Sequence, residues 1–206
     1  WTDGEDGEPI KLYAGFNEQD EARFIVEQIQ SWTDEGNPRK SSAILYRSNA
    51  QSRVIEEALI RVGLPYRIYG GQRFYERLEI RNALAYMRLI IGRADDPALE
   101  RIINTPTRGI GSKTVDDLRA IARDNNVSMW QAIGLAQQNS LLGSRARSSL
   151  AGFAALINEL DSETVELPLE EMVEHVIHRT GLIEFHKAEK GERGQARVEN
   201  LEELVS

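Results

Sequence analysis

In the first third of the chain, short apolar runs alternate with amphipathic stretches. Three runs have the length and the aromatic or β-branched content of strands. Between them, apolar residues recur at helical spacing after Asn17, a favourable helix cap, and again over residues 51–62. Because this alternation is typical of a parallel sheet, it predicts an incomplete α/β segment over residues 1–71. The strand-like runs are 9–16, 43–46 and 66–69, and the apolar helix positions are Ala22, Ile25, Val26, Ile29, Val54, Ile55, Ala58 and Leu59.

After Gly71 the apolar positions follow a helical period to the end of the chain, and no further strand is indicated. Glycine, proline and paired polar residues interrupt the pattern often enough to divide it into about eight helices. Ser128 and Gln131 have the spacing of a capping box. The pattern therefore predicts an all-α domain over 72–196, followed by an amphipathic helix over 197–206.

Composition limits the class of protein. The 206 residues, 41% of them hydrophobic, suffice for one large domain or two small ones. The absence of cysteine excludes disulfides and thiolate metal sites and favours a reducing compartment. No apolar run reaches the length of a membrane span, and from the first residues we expect no signal peptide. Because the chain starts at Trp1 rather than methionine, we expect a piece of a longer protein.

The net charge of −8 hides a strong local asymmetry. Residues 1–36 contain ten acids and two bases, and residues 124–206 contain fourteen acids and seven bases. Residues 37–123, between them, contain sixteen bases and nine acids, a net charge of +7. A local basic region of this kind is the footprint expected for phosphate contacts, although arginines distributed among salt bridges are the ordinary alternative.

Residues 107–114, Thr-Arg-Gly-Ile-Gly-Ser-Lys-Thr, carry the most specific chemistry. A helix that starts at Ser112 or Lys113 would direct unpaired N–H groups into a glycine turn, where an anion can bind between Arg108 and Lys113. A nucleotide-binding P-loop is excluded because Ser112, not glycine, precedes the lysine. Two interpretations stay open: the phosphate-holding turn of a helix-hairpin-helix DNA-binding motif, and an ordinary helix–helix turn.

A basic ridge is predicted on the helix that precedes this turn. Arg77, Arg81 and Arg88 lie within about 40° of one another on a helical wheel, beside an apolar stripe that includes Ile80 and Met87. The alternative is that these arginines pair with acids on the helix surface. Phe74 could stack on bases but is more typical of core.

Four segments together resemble the UvrD/Rep/PcrA-type superfamily 1 DNA helicases. Residues 44–53, Ile-Leu-Tyr-Arg-Ser-Asn-Ala-Gln-Ser-Arg, are similar to a motif of the second motor domain, called 2A. Residues 70–89 resemble the passage from 2A into the inserted 2B domain, 104–111 the Gly-Ile-Gly motif of 2B, and 197–204 its end. The resemblance implies part of a RecA-like parallel-sheet 2A domain, followed by a helical 2B domain with a helix-hairpin-helix-like turn.

The resemblance also implies DNA contacts without sequence preference. The residues matched to the single-stranded DNA track of 2A are Arg47, Asn49 and Arg53. The residues matched to duplex contacts of 2B are Arg81, Arg88, Gly109, Ile110, Gly111, Lys113 and Thr114. From the residues alone, Asn49 could equally cap a helix, and Arg53 could pair with Glu56 or Glu57.

The ATPase motifs of that family are absent from this sequence. We therefore expect no catalytic residue here, no cofactor bound by these residues, and ATP with Mg²⁺ bound elsewhere in a full-length ATP-dependent 3′-to-5′ DNA helicase of repair or replication. Such a protein would be cytoplasmic, associated with the bacterial nucleoid, bound to single-strand/duplex junctions and to repair proteins, and not to a membrane. The alternatives are a stand-alone helix-hairpin-helix repair module and a protein-interaction domain built on the acidic helices after Leu160.

The other candidate metal-binding and catalytic residues have ordinary structural explanations. His175, His178 and His186 lie among acids, as on a solvated face, and without cysteine they do not predict a metal site. The acidic pair Asp95-Asp96 is better explained as helix-start charge than as a general acid and base.

Overall fold

A computed structural model describes residues 9–69 and 71–205. The acidic residues Asp3, Glu5, Asp6 and Glu8, and Gly70 of the second family-like segment, lie outside these ranges. The chain forms two compact units that meet in sequence between Gly71 and Gln72.

The first unit contains the two predicted helices. Helix α1 spans Glu18–Asp34, and the side-chain oxygen of Asn17 accepts the Asp20 N–H at 2.9 Å, which confirms the predicted cap. Helix α2 spans Ser52–Arg61, and a 3₁₀ turn at Arg39–Ser41 lies between the two helices. The helices pack against each other, and the buried apolar residues of this contact are Ala22, Val26 and Leu59.

The strand predictions for this unit were wrong, because residues 9–16, 43–46 and 66–69 form no strand in the described residues. A strand is stable only when a neighbour completes its ladder of backbone hydrogen bonds, and none of these runs pairs with another. Their side chains are exposed accordingly: Leu12 is 97% and Leu45 is 93% accessible. The apolar pattern alone could not reveal that no partner strand lies within residues 9–69 and 71–205.

The regular secondary structure in the described part of the second unit is α-helical, apart from one 3₁₀ turn at Phe74–Glu76. Among the described residues after Gly71 there are eight α-helices, as predicted. Their bounds are α3 Leu78–Ile91, α4 Asp96–Ile102, α5 Ser112–Asn125, α6 Met129–Gln138, α7 Ser144–Thr164, α8 Leu169–Arg179, α9 Leu182–Lys187 and α10 Glu192–Val205. Local signals place two of the starts: Ser128 and Gln131 form the predicted capping box of α6, and Asp95 caps α4 by accepting the Ala98 N–H at 3.1 Å.

Helix α3 lies at the centre of this unit. It packs against α4, α7, α8 and α10, and its residues Ile80, Tyr86 and Leu89 are fully buried. Helices α5 and α6 pack against each other, and α6 also contacts α4 and α7. The final helix begins at Glu192, five residues before the predicted Arg197, and packs on α3, α8 and α9. These helices share one continuous core. The core holds α4 and α5 in place, and with them the turn that precedes α5.

A buried polar network joins the beginning and the end of the second unit. The Arg77 guanidinium donates to the Asn200 side-chain oxygen at 2.7 Å, and Asn200 donates to the Glu79 carboxylate at 2.6 Å. All three residues are less than a tenth exposed. Because Arg77 lies inside this network, the predicted basic ridge does not include it.

The same region holds His186, which is fully buried against the start of α10. Its Nδ1 lies 2.6 Å from the Glu189 carboxylate, while its Nε2 has no hydrogen-bond partner. The expectation of a solvated face was wrong for this histidine, since α9 turns it inward. His175, by contrast, is partly exposed and pairs with Glu163.

Candidate nucleic-acid interface

The turn between α4 and α5 is held from within by one side chain. The Asn104 side-chain oxygen accepts the backbone N–H of Arg108 at 2.7 Å and of Ile110 at 3.2 Å. Gly109 lies between them with a φ of +74°, a left-handed conformation that favours glycine. The Ile110 side chain is 1% exposed and belongs to the core. The turn is thus anchored by Ile110, with its two glycines at the surface.

Arg108 does not contribute charge to the surface of this turn, contrary to the sequence expectation. Its guanidinium donates to the carbonyl oxygens of Pro106 at 2.9 Å and Thr180 at 3.1 Å. It also lies over the Tyr86 ring, 5.7 Å from the ring centroid. Arg108 therefore fastens the turn to the corner between α8 and α9.

The first turn of α5 presents backbone donors to solvent. The helix begins at Ser112, as predicted, and its first helical hydrogen bond runs from the Val115 N–H to the Gly111 carbonyl oxygen. Gly111 is the cap residue and has no side chain to accept the N–H groups of Ser112, Lys113 and Thr114. These groups, with the positive end of the helix dipole, suit an anion.

Lys113 adds a full charge beside these donors. Its side chain is exposed, and no acid pairs with it among the residues that the structure describes. Thr114, the next residue, is partly exposed. The turn and the first residues of α5 therefore combine backbone N–H groups with one unpaired cation.

The two arginines predicted on α3 differ in their surroundings. Both are exposed. Arg88 forms an ion pair with Asp95, the cap of α4, at 2.7 Å, and its side chain is still 63% accessible. Arg81 has no acidic partner within residues 9–69 and 71–205. The salt-bridge alternative thus applies to Arg88, and Arg81 is available to an external anion.

Arg101 is a cation that sequence reasoning did not select. It lies in the last turn of α4, donates to the Asn82 side-chain oxygen at 3.3 Å and lines an open groove of about 570 Å³. Burial lowers the pKa of its guanidinium, and the positive charge of Arg81 lowers it further. Helix α3, which packs on α4, carries both Asn82 and Arg81. No local signal marks the contact between Arg101 and Asn82, because 19 residues separate them in sequence.

The candidates for single-stranded DNA lie in the first unit, immediately before and within α2. Arg47 and Asn49 are exposed, and the Gln51 side-chain oxygen accepts the backbone N–H groups of Arg47 and Ser48 at 3.1 and 3.0 Å. Arg53 lies within α2 and pairs with Glu57 at 3.2 Å, one of the partners considered from sequence. The bonds to Gln51 fix the backbone of this loop while the Arg47 side chain faces solvent.

Two kinds of site find no support in the described residues. No group of three or more histidine, aspartate or glutamate side chains within residues 9–69 and 71–205 could hold a metal ion. In the same ranges, no helix combines the length and apolar character that a membrane crossing requires.

Comparison with known proteins identifies the family. The sequence profile described as UvrD-like helicase C-terminal domain matches residues 1–206. The chain is 55% identical to DNA helicase II of Escherichia coli and 54% identical to that of Haemophilus influenzae, over its whole length. It is 38% identical to the ATP-dependent DNA helicase PcrA of Staphylococcus aureus, again over its whole length.

These matches cover only part of each relative. The chain spans 29% of the Escherichia coli protein and 28% of the other two. The family profile, in contrast, extends over all 206 residues. By this match, the chain belongs to the UvrD-like helicase C-terminal domain family.

Proposed function

We propose that this chain is the DNA-holding part of an ATP-dependent 3′-to-5′ DNA helicase. The observation that carries the proposal is the exposed start of α5, where backbone donors lie beside the unpaired charge of Lys113. Phosphate is the anion that such a site suits best, because it accepts several hydrogen bonds and carries the charge that the helix dipole favours.

In this proposal the second unit grips the duplex backbone. The N–H groups of the first turn of α5 and Lys113 hold one phosphate, and the exposed glycines allow the backbone close to it. Arg81 and Arg88 provide further positive charge on α3. Ile110 acts as the buried anchor of the turn, since Asn104 already occupies its N–H. None of these contacts reads a base edge, so the grip is independent of sequence and sensitive to salt.

The arrangement of this turn supports a helix-hairpin-helix-like role. A short helix, a turn with a left-handed glycine and a helix that starts directly after Gly111 follow one another along the chain. We infer correspondingly that the first unit is part of a RecA-like 2A domain. Its unpaired apolar runs, with Leu12 and Leu45 almost fully exposed, would be covered by strands from elsewhere in a whole helicase.

We infer that Arg47, Asn49 and Arg53 contact single-stranded DNA. Arg47 and Asn49 are exposed on a loop whose backbone is fixed by Gln51, and Arg53 is the second residue of the helix that follows. Arg53, whose side chain is 15% exposed, would exchange its ion pair with Glu57 for a phosphate.

The motor activity belongs to the whole helicase in this proposal. ATP and Mg²⁺ would bind to motifs that this sequence does not contain, so we expect no ATP hydrolysis by these 206 residues alone. The whole protein would act in the bacterial cytoplasm, at the nucleoid, on single-strand/duplex junctions, together with repair proteins. The relatives, DNA helicase II and ATP-dependent DNA helicase PcrA, support this role by their names.

A titration of DNA binding tests the duplex grip. Fluorescence anisotropy of a labelled short duplex with a 3′ single-stranded tail gives the affinity from about 50 to about 200 mM KCl. We expect Lys113→Gln to weaken binding and to lower the slope of log K against log[KCl] by about 1. The matched control is Arg123→Gln, at the other end of α5, where the arginine is 77% exposed and pairs with Asp124. Equal binding by the two variants would contradict the grip.

A second titration separates the two DNA contacts. Arg47→Gln should weaken binding of a single-stranded oligonucleotide and leave a blunt duplex unaffected, because Arg47 lies in the first unit. Lys113→Gln should show the opposite preference. If Arg47→Gln binds single strands like the unmodified chain, the assignment of the 2A track to this loop is wrong.

A further inference from the structure

The chain between α7 and α8 exposes a run of apolar side chains. Residues 165–169 read Val-Glu-Leu-Pro-Leu. Val165 is 78% and Leu169 is 71% accessible, and Pro168 is exposed as well. Leu160 of α7 and Val173 of α8, on either side of this run, are buried. Both helices therefore reach the core through other residues, and the exposed run remains at the surface.

A third exposed apolar residue lies at the same end of the second unit. Ile91, the last residue of α3, is exposed. Two residues further, the Arg93 guanidinium donates to the Asp161 carboxylate at 2.9 Å, and Asp161 lies about one helical turn before Val165. The end of α3 is thus held beside the end of α7. Apolar side chains that are exposed together, unlike single ones, mark an interaction site.

The charge around this apolar run is strongly negative. Residues 159–179 contain seven acids and one arginine. Three of the acids pair with Arg93 or Arg179, and these are Glu159, Asp161 and Glu163. The other four are exposed and have no cationic partner within residues 9–69 and 71–205, namely Glu166, Glu170, Glu171 and Glu174.

Helix stability explains only part of this negative charge. Glu170 and Glu171 lie in the first turn of α8, where the helix dipole favours acids. Glu166 precedes the helix and Glu174 follows its first turn, so this explanation does not extend to them. We call residues 165–174, with their exposed apolar run and unpaired acids, the α7–α8 corner.

The combination of apolar and acidic side chains indicates the chemistry of a partner. Unpaired carboxylates repel the phosphates of DNA and of anionic lipids, so neither is held at this surface. Exposed apolar side chains gain free energy when another apolar surface covers them, and a positive surface complements the acids. A basic protein segment that carries apolar residues at intervals satisfies both requirements.

We propose that the α7–α8 corner docks a basic, amphipathic segment of a partner protein. Apolar side chains of the segment cover Val165 and Leu169, and its lysines or arginines lie beside Glu166 and Glu174. The inference goes beyond the proposed function, because the α7–α8 corner and the start of α5 carry opposite charges and suit different classes of ligand.

Helix α8 keeps the two surfaces apart. Arg108 fastens the turn before α5 to Thr180, which follows the C-terminal end of α8. The α7–α8 corner lies at the N-terminal end of the same helix, about 15 Å away along its axis. The second unit would then hold DNA and a partner protein at separate surfaces.

A designed peptide tests the apolar part of this site. The probe is a labelled amphipathic helix of lysine and leucine, and anisotropy measures its affinity for the 206-residue chain at low salt. We expect the double variant Val165→Ser, Leu169→Ser to bind the peptide about tenfold more weakly. The matched control is Leu141→Ser, since Leu141 is half exposed and lies before the other end of α7. Thermal melting checks that each variant retains its fold.

Acid variants test the electrostatic part. The double variant Glu166→Gln, Glu174→Gln should weaken peptide binding about threefold and make it less dependent on salt. Glu192→Gln, at the exposed start of α10, is the matched control and should have neither effect. Amide shifts caused by the peptide should concentrate on residues 165–174.

The outcomes distinguish this site from its alternatives. Equal peptide affinity in the variants and their controls would overturn the proposal. Loss of duplex binding in Val165→Ser, Leu169→Ser would assign the surface to DNA, and self-association that the same variant abolishes would assign it to a second copy of the chain. A whole helicase that contains this chain and does not bind the peptide would show that another domain covers the α7–α8 corner. Lost peptide binding with unchanged duplex binding supports the proposal, independently of the result for Lys113→Gln.

Discussion

The side-chain oxygen of Asn104 accepts the backbone N–H of Ile110 at 3.2 Å, and this bond closes the turn in front of α5. The same oxygen accepts the Arg108 N–H at 2.7 Å. One amide group therefore shapes the backbone that Gly109 and Gly111 expose. The exposed start of α5 depends on a residue that itself need not contact DNA.

Replacing Asn104 with alanine should damage the turn without changing the charge of the surface. Two backbone N–H groups would lose their acceptor, which costs about 1–3 kcal/mol of unfolding free energy. Duplex affinity should fall as well, because the donors of α5 lose their fixed position. Urea denaturation and anisotropy measure the two effects. Asn125→Ala, at an exposed site where the side chain bonds only to the Ile121 carbonyl oxygen, should leave both nearly unchanged.

The two glycines of the turn should respond differently to alanine. Gly109 has a φ of +74°, so Gly109→Ala should destabilise the unit by about 1–2 kcal/mol through backbone strain. Gly111 has a φ of −79° and no atom within 4 Å of an added Cβ, so Gly111→Ala should not reduce stability.

Duplex binding by these glycine variants is the sharper part of the comparison. A methyl group at residue 111 would stand where a phosphate approaches the backbone, and we expect weaker binding from a fully stable protein. Anisotropy and thermal melting of both variants decide the point. Unchanged duplex affinity in Gly111→Ala would contradict close phosphate approach at this residue.

Replacement of Asn200 should be among the changes that most reduce the stability of the second unit while leaving its surface unaltered. Asn200→Leu would remove one partner from buried Arg77 and one from buried Glu79, for a cost of about 2–4 kcal/mol. Chemical denaturation measures this loss. Gln195→Leu on the same helix, at an exposed position, should change stability by less than about 0.5 kcal/mol. Similar losses in the two variants would argue against the network as the link between α3 and α10.

Tyr86 should make the second unit sensitive to alkaline pH. Burial raises the pKa of its phenol to about 12, against an ordinary value of 10.0. A group whose pKa is higher in the folded state contributes stability below its unfolded pKa and loses that contribution as pH rises through the folded value. Tyr86 should thus contribute about 2–3 kcal/mol that is present below about pH 10 and lost towards pH 12.

Tyr86→Phe isolates this contribution. The variant should be less stable at neutral pH, because the hydroxyl no longer donates to the Thr105 carbonyl oxygen at 2.7 Å. The difference between the two proteins should shrink between about pH 10 and 12. Denaturation curves across that range measure it. A difference that stays constant with pH would show that the phenol does not titrate as its burial predicts.

Local signals predicted local structure well. The cap at Asn17, the capping box at Ser128 and the start of α5 at Ser112 each depend on neighbours within four residues, and all three are confirmed. The strands failed for the opposite reason, since pairing depends on distant partners. Residues 43–46 have the side chains of a strand, but the described part of the chain places no strand beside them.

The arginines show the same limit at the candidate site. A helical wheel groups Arg77 with Arg81, but Arg77 precedes α3 with extended backbone angles, so the wheel does not apply to it. Arg108 turns inward to donate to the Thr180 carbonyl oxygen. Thr180 lies 72 residues further along the chain, so no local pattern could predict this bond. The groove cation Arg101 depends on Asn82, 19 residues away. The sequence identifies the basic segment, but only the tertiary packing determines which of its arginines are exposed and which turn inward.

Amide chemical-shift mapping with a blunt duplex tests the duplex grip most directly. The N–H groups of Ser112, Lys113 and Thr114 should show the largest shifts among assigned backbone amides, and added salt should reverse them. The Lys113→Gln variant should need more duplex for the same shift. Shifts that instead concentrate on the acidic helices after Leu160, or that survive high salt unchanged, would contradict a phosphate site at the start of α5.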